Sequence, residues 1–234
     1  MGNNFSDFEK NIGVAFKNKN LLKEALTHRS YLNEHSDWPV FHNERLEYLG
    51  DAVLELVTTE YLFNFYPNHQ EGELTSLRAA LVNYQMMGKV AREISLEKFL
   101  FLSRGEAKDE GKAREVILAN ALESLIGALY LDHGYEVTKN FIERFVIQHL
   151  REVVDQKLYR DPKSLFQEIV QEKKKVTPTY KVIRETGPDH QKQFLVGVFL
   201  NDEPVAQGQG TSKQEAESNA AKAALEAFES EHKE

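Results

Sequence analysis

Four acids between His42 and Val57, namely Glu44, Glu47, Asp51 and Glu55, are spaced so that a helix would carry them along one edge. At about 100° per residue they fall at roughly 0°, 300°, 340° and 20°, a stripe about 80° wide. Like charges three or four residues apart cost a helix a few tenths of a kcal/mol per pair, so folding alone gives little reason for the column. A bound cation would give one, and a solvated acidic face is the ordinary alternative. Leu46, Leu49, Ala52, Val53, Leu56 and Val57 fall on the other side and are expected in a core.

A second stretch complements the first. Val116 to Leu131 is apolar almost all round and therefore predicts a buried helix. Its polar exceptions, Asn120, Glu123, Ser124 and Gly127, share a seam at roughly 0°, 300°, 40° and 340°. A carboxylate in such a seam is costly unless it is paired, protonated or bound to metal. Gly127 and Gly50 both permit close backbone approach, which predicts that the two helices cross near them. Glu47, Asp51, Asn120 and Glu123 could then surround one hard cation, since carboxylate and amide oxygens suit Mg²⁺ or Mn²⁺.

The elements that must position these residues can be read from periodicity and breaks. Leu21, Leu22, Ala25 and Leu26 have helical spacing, and His28 at the end of that run reads as a structural hydrogen-bonding residue. Pro67 to Gly72 interrupts the pattern and contains Glu71, with Glu73 next, after which Thr75 or Ser76 is positioned to cap a helix reaching Val82. Ser103 to Arg114 reads as a surface loop, and Phe141 to Val154 as one amphipathic helix. The polar, aperiodic stretch from Asp155 marks a boundary, giving a helical domain over 1–154, a linker over 155–160 and a second domain over 161–230.

The second domain changes character. Asp161-Pro162 has the form of an N-cap followed by proline at the first helical position, opening a helix through Glu172. Thr179 to Glu185, Phe194 to Leu200 and Val205 to Gln209 are strand-like, with a strong turn at Gly187-Pro188-Asp189. An alanine-rich helix follows from Thr211, with Ser212 and Glu215 spaced as a capping box. The expected fold class is an all-α domain followed by a small α+β module of order α-β-β-β-α.

The totals exclude several classes. With 41% apolar and 28% charged residues the 234-residue chain is globular rather than disordered, and without cysteine it has no disulfide, thiolate nucleophile or Cys-ligated zinc. No apolar run approaches the roughly 18 to 20 residues that span a bilayer, and the start is polar, so a cytoplasmic protein without membrane contact is expected. A net charge of −8 argues against indiscriminate polyanion binding. Any nucleic-acid site must be a local patch or be bridged by metal.

The run Asn43 to Leu54 closely resembles the signature of the bacterial ribonuclease III family, with Tyr48 where phenylalanine is usual. The resemblance extends through Ala25-Leu-Thr-His-Arg-Ser30, Gln70-Glu-Gly-Glu-Leu74 and Ile117 to Asp132. The second domain resembles a double-stranded RNA-binding domain through Phe166-Gln-Glu168, Thr177-Pro-Thr-Tyr180, Gly187-Pro-Asp-His190 and Gly208 to Ala216. This resemblance implies a Mg²⁺-dependent endonuclease, in which Mn²⁺ can substitute, acting as a homodimer on double-stranded RNA without a nucleotide cofactor. It implies processing of ribosomal RNA precursors and other structured transcripts, leaving 5′-phosphates, 3′-hydroxyls and short 3′ overhangs. Carried over by position, Asp51 and Glu123 are catalytic, and Glu47, Asp51, Asn120 and Glu123 form the metal set. Glu44 and Glu71 line the RNA cleft, while Gln167, Glu168, Gly187, Pro188, His190, Ser212 and Lys213 contact RNA.

Two positions depart from the family pattern. Asn120 stands where an aspartate ligand is usual, keeping a carbonyl oxygen but losing a charge. Gln214 replaces the second of two adjacent lysines. Residues 161–234 hold ten Lys and Arg against thirteen Asp and Glu, so even the binding module is not basic overall. The competing expectation is therefore a catalytically weak or inactive double-stranded RNA-binding or ribosome-associated protein.

Overall fold

The computed structural model describes residues 5–108, 110–188 and 192–230. It divides into two compact units, Met1–Tyr159 and Arg160–Glu234. The first unit is helical: α1 (Phe5–Ile12), α2 (Lys19–Ala25), α3 (Arg29–Glu34), α4 (Glu44–Phe65), α5 (Glu71–Leu81), α6 (Tyr84–Glu93), α7 (Lys112–His133), α8 (Tyr135–Phe145) and α9 (Leu150–Asp155). Among the described residues no helix is long and apolar enough to cross a membrane.

Helix α7 is the hub of this unit. Leu118, Ala119, Ala121, Leu122, Leu125, Ile126, Ala128 and Leu129 are all buried, as its all-round apolar sequence requires. Its most extensive packing is against α4, and the crossing is made by glycine on both sides. A Cβ on Gly50 would lie 1.7 Å from the Glu123 carbonyl oxygen, and one on Gly127 would lie 2.2 Å from that of Leu46. Backbone therefore meets backbone, with no room for a methyl group on either helix.

The start of α4 is fastened independently. Asn43 N–H donates to the Thr27 carbonyl (2.9 Å), and the Asn43 carbonyl accepts from Glu47 N–H (2.9 Å). The Ser124 hydroxyl, from the polar seam of α7, lies 3.2 Å from that same carbonyl and 2.7 Å from the Asn120 carbonyl. His28 has the structural role its position suggested: its ring accepts from Ser30 N–H and caps α3, and burial lowers its pKa.

Three local expectations are corrected. Helix α5 begins at Glu71 rather than at Thr75 or Ser76, because the Glu73 carboxylate accepts from Gln70 N–H (3.0 Å) and holds the first turn closed. The helix expected over Phe141 to Val154 is broken between α8 and α9. That break places His149 between Glu93 (3.1 Å) and Glu152 (3.3 Å), while Lys89 reaches Glu152 at 2.6 Å, tying α9 to α6. Finally, Ala52 and Leu56 are not in the core. Leu56 is 57% exposed and lies on a face with Tyr48 (84%) and Phe63 (69%).

The second unit contains α10 (Pro162–Lys174), a three-stranded antiparallel sheet of β1 (Thr179–Thr186), β2 (Gln193–Leu200) and β3 (Glu203–Gly210) in that order, and α11 (Lys213–Ser230). Asp161 caps α10 by accepting from Ser164 N–H (2.9 Å). Its core joins Phe166 and Val170 to Val198, Leu200, Ala220, Ala221, Ala224 and Phe228. The alanines answer to the glycines opposite: a Cβ on Gly208 would meet Ala220 N at 2.1 Å and Ala216 O at 2.5 Å. Of the capping box, Ser212 accepts from Glu215 N–H (3.1 Å), and the Glu215 carboxylate accepts from Thr211 N–H (2.8 Å).

Gly50→Ala tests the crossing. Alanine in an exposed helix interior is worth about 1 kcal/mol over glycine. Here the methyl meets a carbonyl oxygen, so a loss of about 3 kcal/mol is expected in urea unfolding. A gain in stability would show that the helices do not meet there.

Candidate active site and nucleic-acid interface

The crossing of α4 and α7 determines which side chains meet. Glu47 and Asp51 flank Gly50 on one helix, and Asn120 and Glu123 precede Gly127 on the other. The Asn120 amide hydrogen-bonds the Glu47 carboxylate, and Glu47 and Asp51 both act electrostatically on Glu123. Glu47, Asp51 and Glu123 thus share one electrostatic neighbourhood, with Asn120 beside Glu47.

Their environment is unfavourable to charge. Burial pushes the Glu123 carboxyl up to about 8, with the charges of Asp51 and Glu47 adding to the shift. Burial also raises Glu47, reinforced by Glu44 and Asp51 and opposed by the Asn120 hydrogen bond. Asp51 is raised by burial and by Glu55. Among the described residues no lysine or arginine pairs with Glu47, Asp51 or Glu123. Nor do three acid or imidazole side chains there already converge as a closed ligand set, so the donors are gathered by the backbone while their carboxylates stand apart.

The remaining predicted positions are distributed around this centre. Glu44 is ion-paired with Arg29 (2.8 Å) and lies 3.8 Å from the His42 ring. Arg29 sits in the Thr-His-Arg-Ser motif but had no role assigned from sequence, and its partner across the loop could not be read from spacing. Glu71, in the first turn of α5, is exposed and accepts from the Thr75 hydroxyl (3.0 Å). The structure does not bring it into the acid cluster. Ser124 was legible as part of the seam, but its bond to Asn43, 81 residues earlier, was not.

In the second unit Gln167 and Glu168 are exposed on α10, and the Glu168 carboxylate is engaged by Arg160. Gly187 has φ +92°, a conformation that favours glycine, and Pro188 follows it on the surface. His190 lies outside the described residues. Ser212 and Lys213 are exposed where α11 begins, with the Lys213 ammonium 5.8 Å from the centre of the Phe194 ring.

Comparison with known proteins places this geometry. Residues 18–150 match the family model "Ribonuclease-III-like", more than half of the chain. The chain belongs to the ribonuclease III family. Residues 162–227 match the "Double-stranded RNA binding motif", so a nuclease domain of that family is followed by an RNA-binding module. The chain is 45% identical over 228 residues to Ribonuclease 3 of Carboxydothermus hydrogenoformans, covering 97% of each chain. It is 42% identical over 224 residues to Ribonuclease 3 of Borreliella afzelii, covering 96% of this chain and 91% of that one. The nuclease domain of ribonuclease III from Campylobacter jejuni, whose solved structure is described as flexible in a region involved in dimer formation, superposes with a TM-score of 0.56. It is 42% identical and spans 62% of this chain and 97% of that one.

The raised Glu123 carboxyl has a measurable consequence for the metal-free protein of this ribonuclease III family member. Between the ordinary carboxylate value of 4.5 and about 8, folded Glu123 keeps a proton that the unfolded chain has released. The native state binds more protons there, so stability falls as pH rises through that window. Melting in EDTA is expected to drop in temperature from about pH 5 to 8, and Glu123→Gln is expected to flatten the decline. An unchanged slope in that variant would remove Glu123 as its cause.

Proposed function

We propose that the chain is a Mg²⁺-dependent endoribonuclease that cuts double-stranded RNA, with Mn²⁺ able to substitute. It leaves 5′-phosphate and 3′-hydroxyl ends with short 3′ overhangs in precursors of ribosomal RNA and other structured transcripts. The observation that carries this reading is the uncompensated cluster of Glu47, Asp51 and Glu123 beside Asn120.

The donor chemistry fits a hard divalent cation: every candidate atom is oxygen, and a cation is what would offset the mutual repulsion of three desolvated carboxylates. Glu47, Asp51 and Glu123 would hold it, with Asn120 contributing a neutral oxygen or keeping Glu47 in place through its amide. When bound, such an ion supplies activation of water and compensation of charge on the scissile phosphate. The acids alone would repel that phosphate. Arg29 offsets one of them, Glu44, at the edge nearest the RNA side. The second unit supplies duplex recognition: Gln167 and Glu168 towards ribose hydroxyls, the Gly187–Pro188 turn with His190 towards the next minor groove, and Ser212 and Lys213 at the start of α11 towards phosphates between them.

We also infer that the chain works as a homodimer. Tyr48, Ala52, Leu56 and Phe63 form one exposed stripe on α4, and Phe41 just before it is 73% exposed. A contiguous apolar face of this kind suits a second copy of itself across a two-fold axis.

Cleavage of long duplex RNA with Mg²⁺, its arrest by EDTA, and loss of cutting with retained binding in Asp51→Asn are the expected results. Stoichiometric retention of duplex without cleavage at any Mg²⁺ or Mn²⁺ concentration would favour the RNA-binding alternative that Asn120 raises. For the dimer, light scattering is expected to give twice the 26.9 kDa chain mass, and Leu56→Asp to give a folded monomer by circular dichroism.

A further inference from the structure

Asp161, Ser164, Gln167 and Glu168 share one exposed stripe along α10, about 100° wide, while Leu165, Phe166 and Val170 face the core. Gln167 and Glu168 are the positions placed at the ribose hydroxyls. Between Asp161 and Glu168 this stripe holds no lysine or arginine. Lys163 and Lys174 of the same helix are turned to α11, the first paired with Glu217 (2.5 Å) and the second 4.7 Å from the centre of the Phe228 ring. A carboxylate is therefore offered to a polyanion from a face without cations of its own, which repulsion disfavours. The compensating charge comes from outside the helix: Arg160 donates to the Glu168 carboxylate across about two turns.

Local geometry brings the pair together. The rise from Asp161 to Glu168 is about 10 Å, and side chains on a helix lean towards its N-terminus, so the Glu168 carboxylate points back along α10. Asp161 accepts from both the N–H (2.9 Å) and the hydroxyl (3.0 Å) of Ser164, which fixes the first turn and with it the point from which Arg160 starts. The ion pair contributes little to folding, because its side chains, 35% and 57% exposed, keep much of their water. The nuclease unit repeats the device. Glu44, its acid at the RNA edge, is held by Arg29 (2.8 Å), whereas Glu47, Asp51 and Glu123 of the metal set have no lysine or arginine partner among the described residues. Glu71 takes the Thr75 hydroxyl instead. In each unit an arginine accompanies an acid whose expected partner is RNA rather than a cation.

Resting on the duplex-RNA reading above, we propose that Arg160 is a positioning residue for RNA recognition. It holds the Glu168 carboxylate towards the duplex, so that Glu168 accepts from a ribose 2′-hydroxyl without adding net negative charge beside the phosphates. Without the arginine, Glu168 is a lone anion that turns from the polyanion to solvent, and the ribose contact is lost. Arg160 therefore bears on the choice of ribose over deoxyribose, and not on affinity alone. Although it ends the expected linker over 155–160, it serves the RNA-binding unit that begins with it.

The test uses the full chain in EDTA, where no cutting occurs, and compares binding to an all-ribose duplex with binding to the same duplex carrying scattered 2′-deoxy nucleotides. Both duplexes carry the same phosphates, so the ratio of affinities reads the hydroxyl contacts. Arg160→Gln is expected to lower that ratio about threefold, as for the loss of one hydrogen bond, without shifting the melting temperature. Arg160→Lys, which keeps a cation, should hold the ratio. Lys181→Gln, which removes a cation paired with Asp202 (2.7 Å) at the sheet, should leave it as in the wild type. In a Glu168→Gln background, where the side chain is already neutral, Arg160→Gln should change the ratio no further. An unchanged ratio in Arg160→Gln, with or without weaker binding, overturns the proposal, as does an equal fall in Lys181→Gln or in the Glu168→Gln background. A wild type that binds the duplex but ignores 2′-deoxy substitution overturns the ribose contact of Glu168. Absence of duplex binding by the wild type overturns the reading beneath both.

Discussion

Two glycines facing each other across a helix crossing set the terms for the rest of the nuclease unit. Gly50 and Gly127 let the backbones of α4 and α7 touch, with the Glu123 carbonyl 1.7 Å from where a Gly50 Cβ would be. Side chains one turn away on either helix are then forced into common space. The side chains proposed to act are those within two turns of the two glycines. Burial of Leu122, Leu125 and Ile126 anchors α7 in the core, and the crossing gathers Glu47, Asp51 and Glu123 despite their mutual repulsion.

That arrangement is electrostatically costly, and the cost is distributed in a recognisable way. Glu44, at the edge, is neutralised by Arg29. Glu60, further along α4, is engaged by the Tyr135 hydroxyl and by Lys139, which hold its carboxyl below the usual range. The acids at the crossing are left with raised proton affinity, most of all Glu123. Three desolvated carboxylates without a basic partner store a demand for positive charge at that place.

Much of this was legible in the chain because it rests on period. The acid stripe, the polar seam and the paired glycines each follow from 3.6 residues per turn, and the strands of the second unit from their β-branched and aromatic runs between turns. What could not be read has specific causes. Leu56 and Ala52 have core-like spacing, yet periodicity reports only that a face is apolar, not whether the same chain covers it. Gln70 with Glu73 closes α5 earlier than Thr75 or Ser76 would, since a reciprocal bond from the third residue competes with hydroxyl capping. The break before α9 is decided by where His149 finds Glu93, 56 residues away, a contact that leaves no local trace. The bulge in β1, where Val182 pairs with Val196 and Arg184 with Leu195 so that Ile183 is an extra residue, is invisible for the same reason, because register belongs to a pair of strands.

The seating of α11 on β3 carries a different kind of consequence. Gly208 and Gly210 bring the strand against Ala216 and Ala220 so tightly that neither partner has a tolerated larger alternative. Inheritance of this module is therefore divided along one helix. Its inner face has no room for a larger side chain, whereas Lys213 and Gln214 in its first turn stand in solvent. A substitution at Gln214 therefore alters what the helix end presents to solvent without touching the seam between α11 and β3.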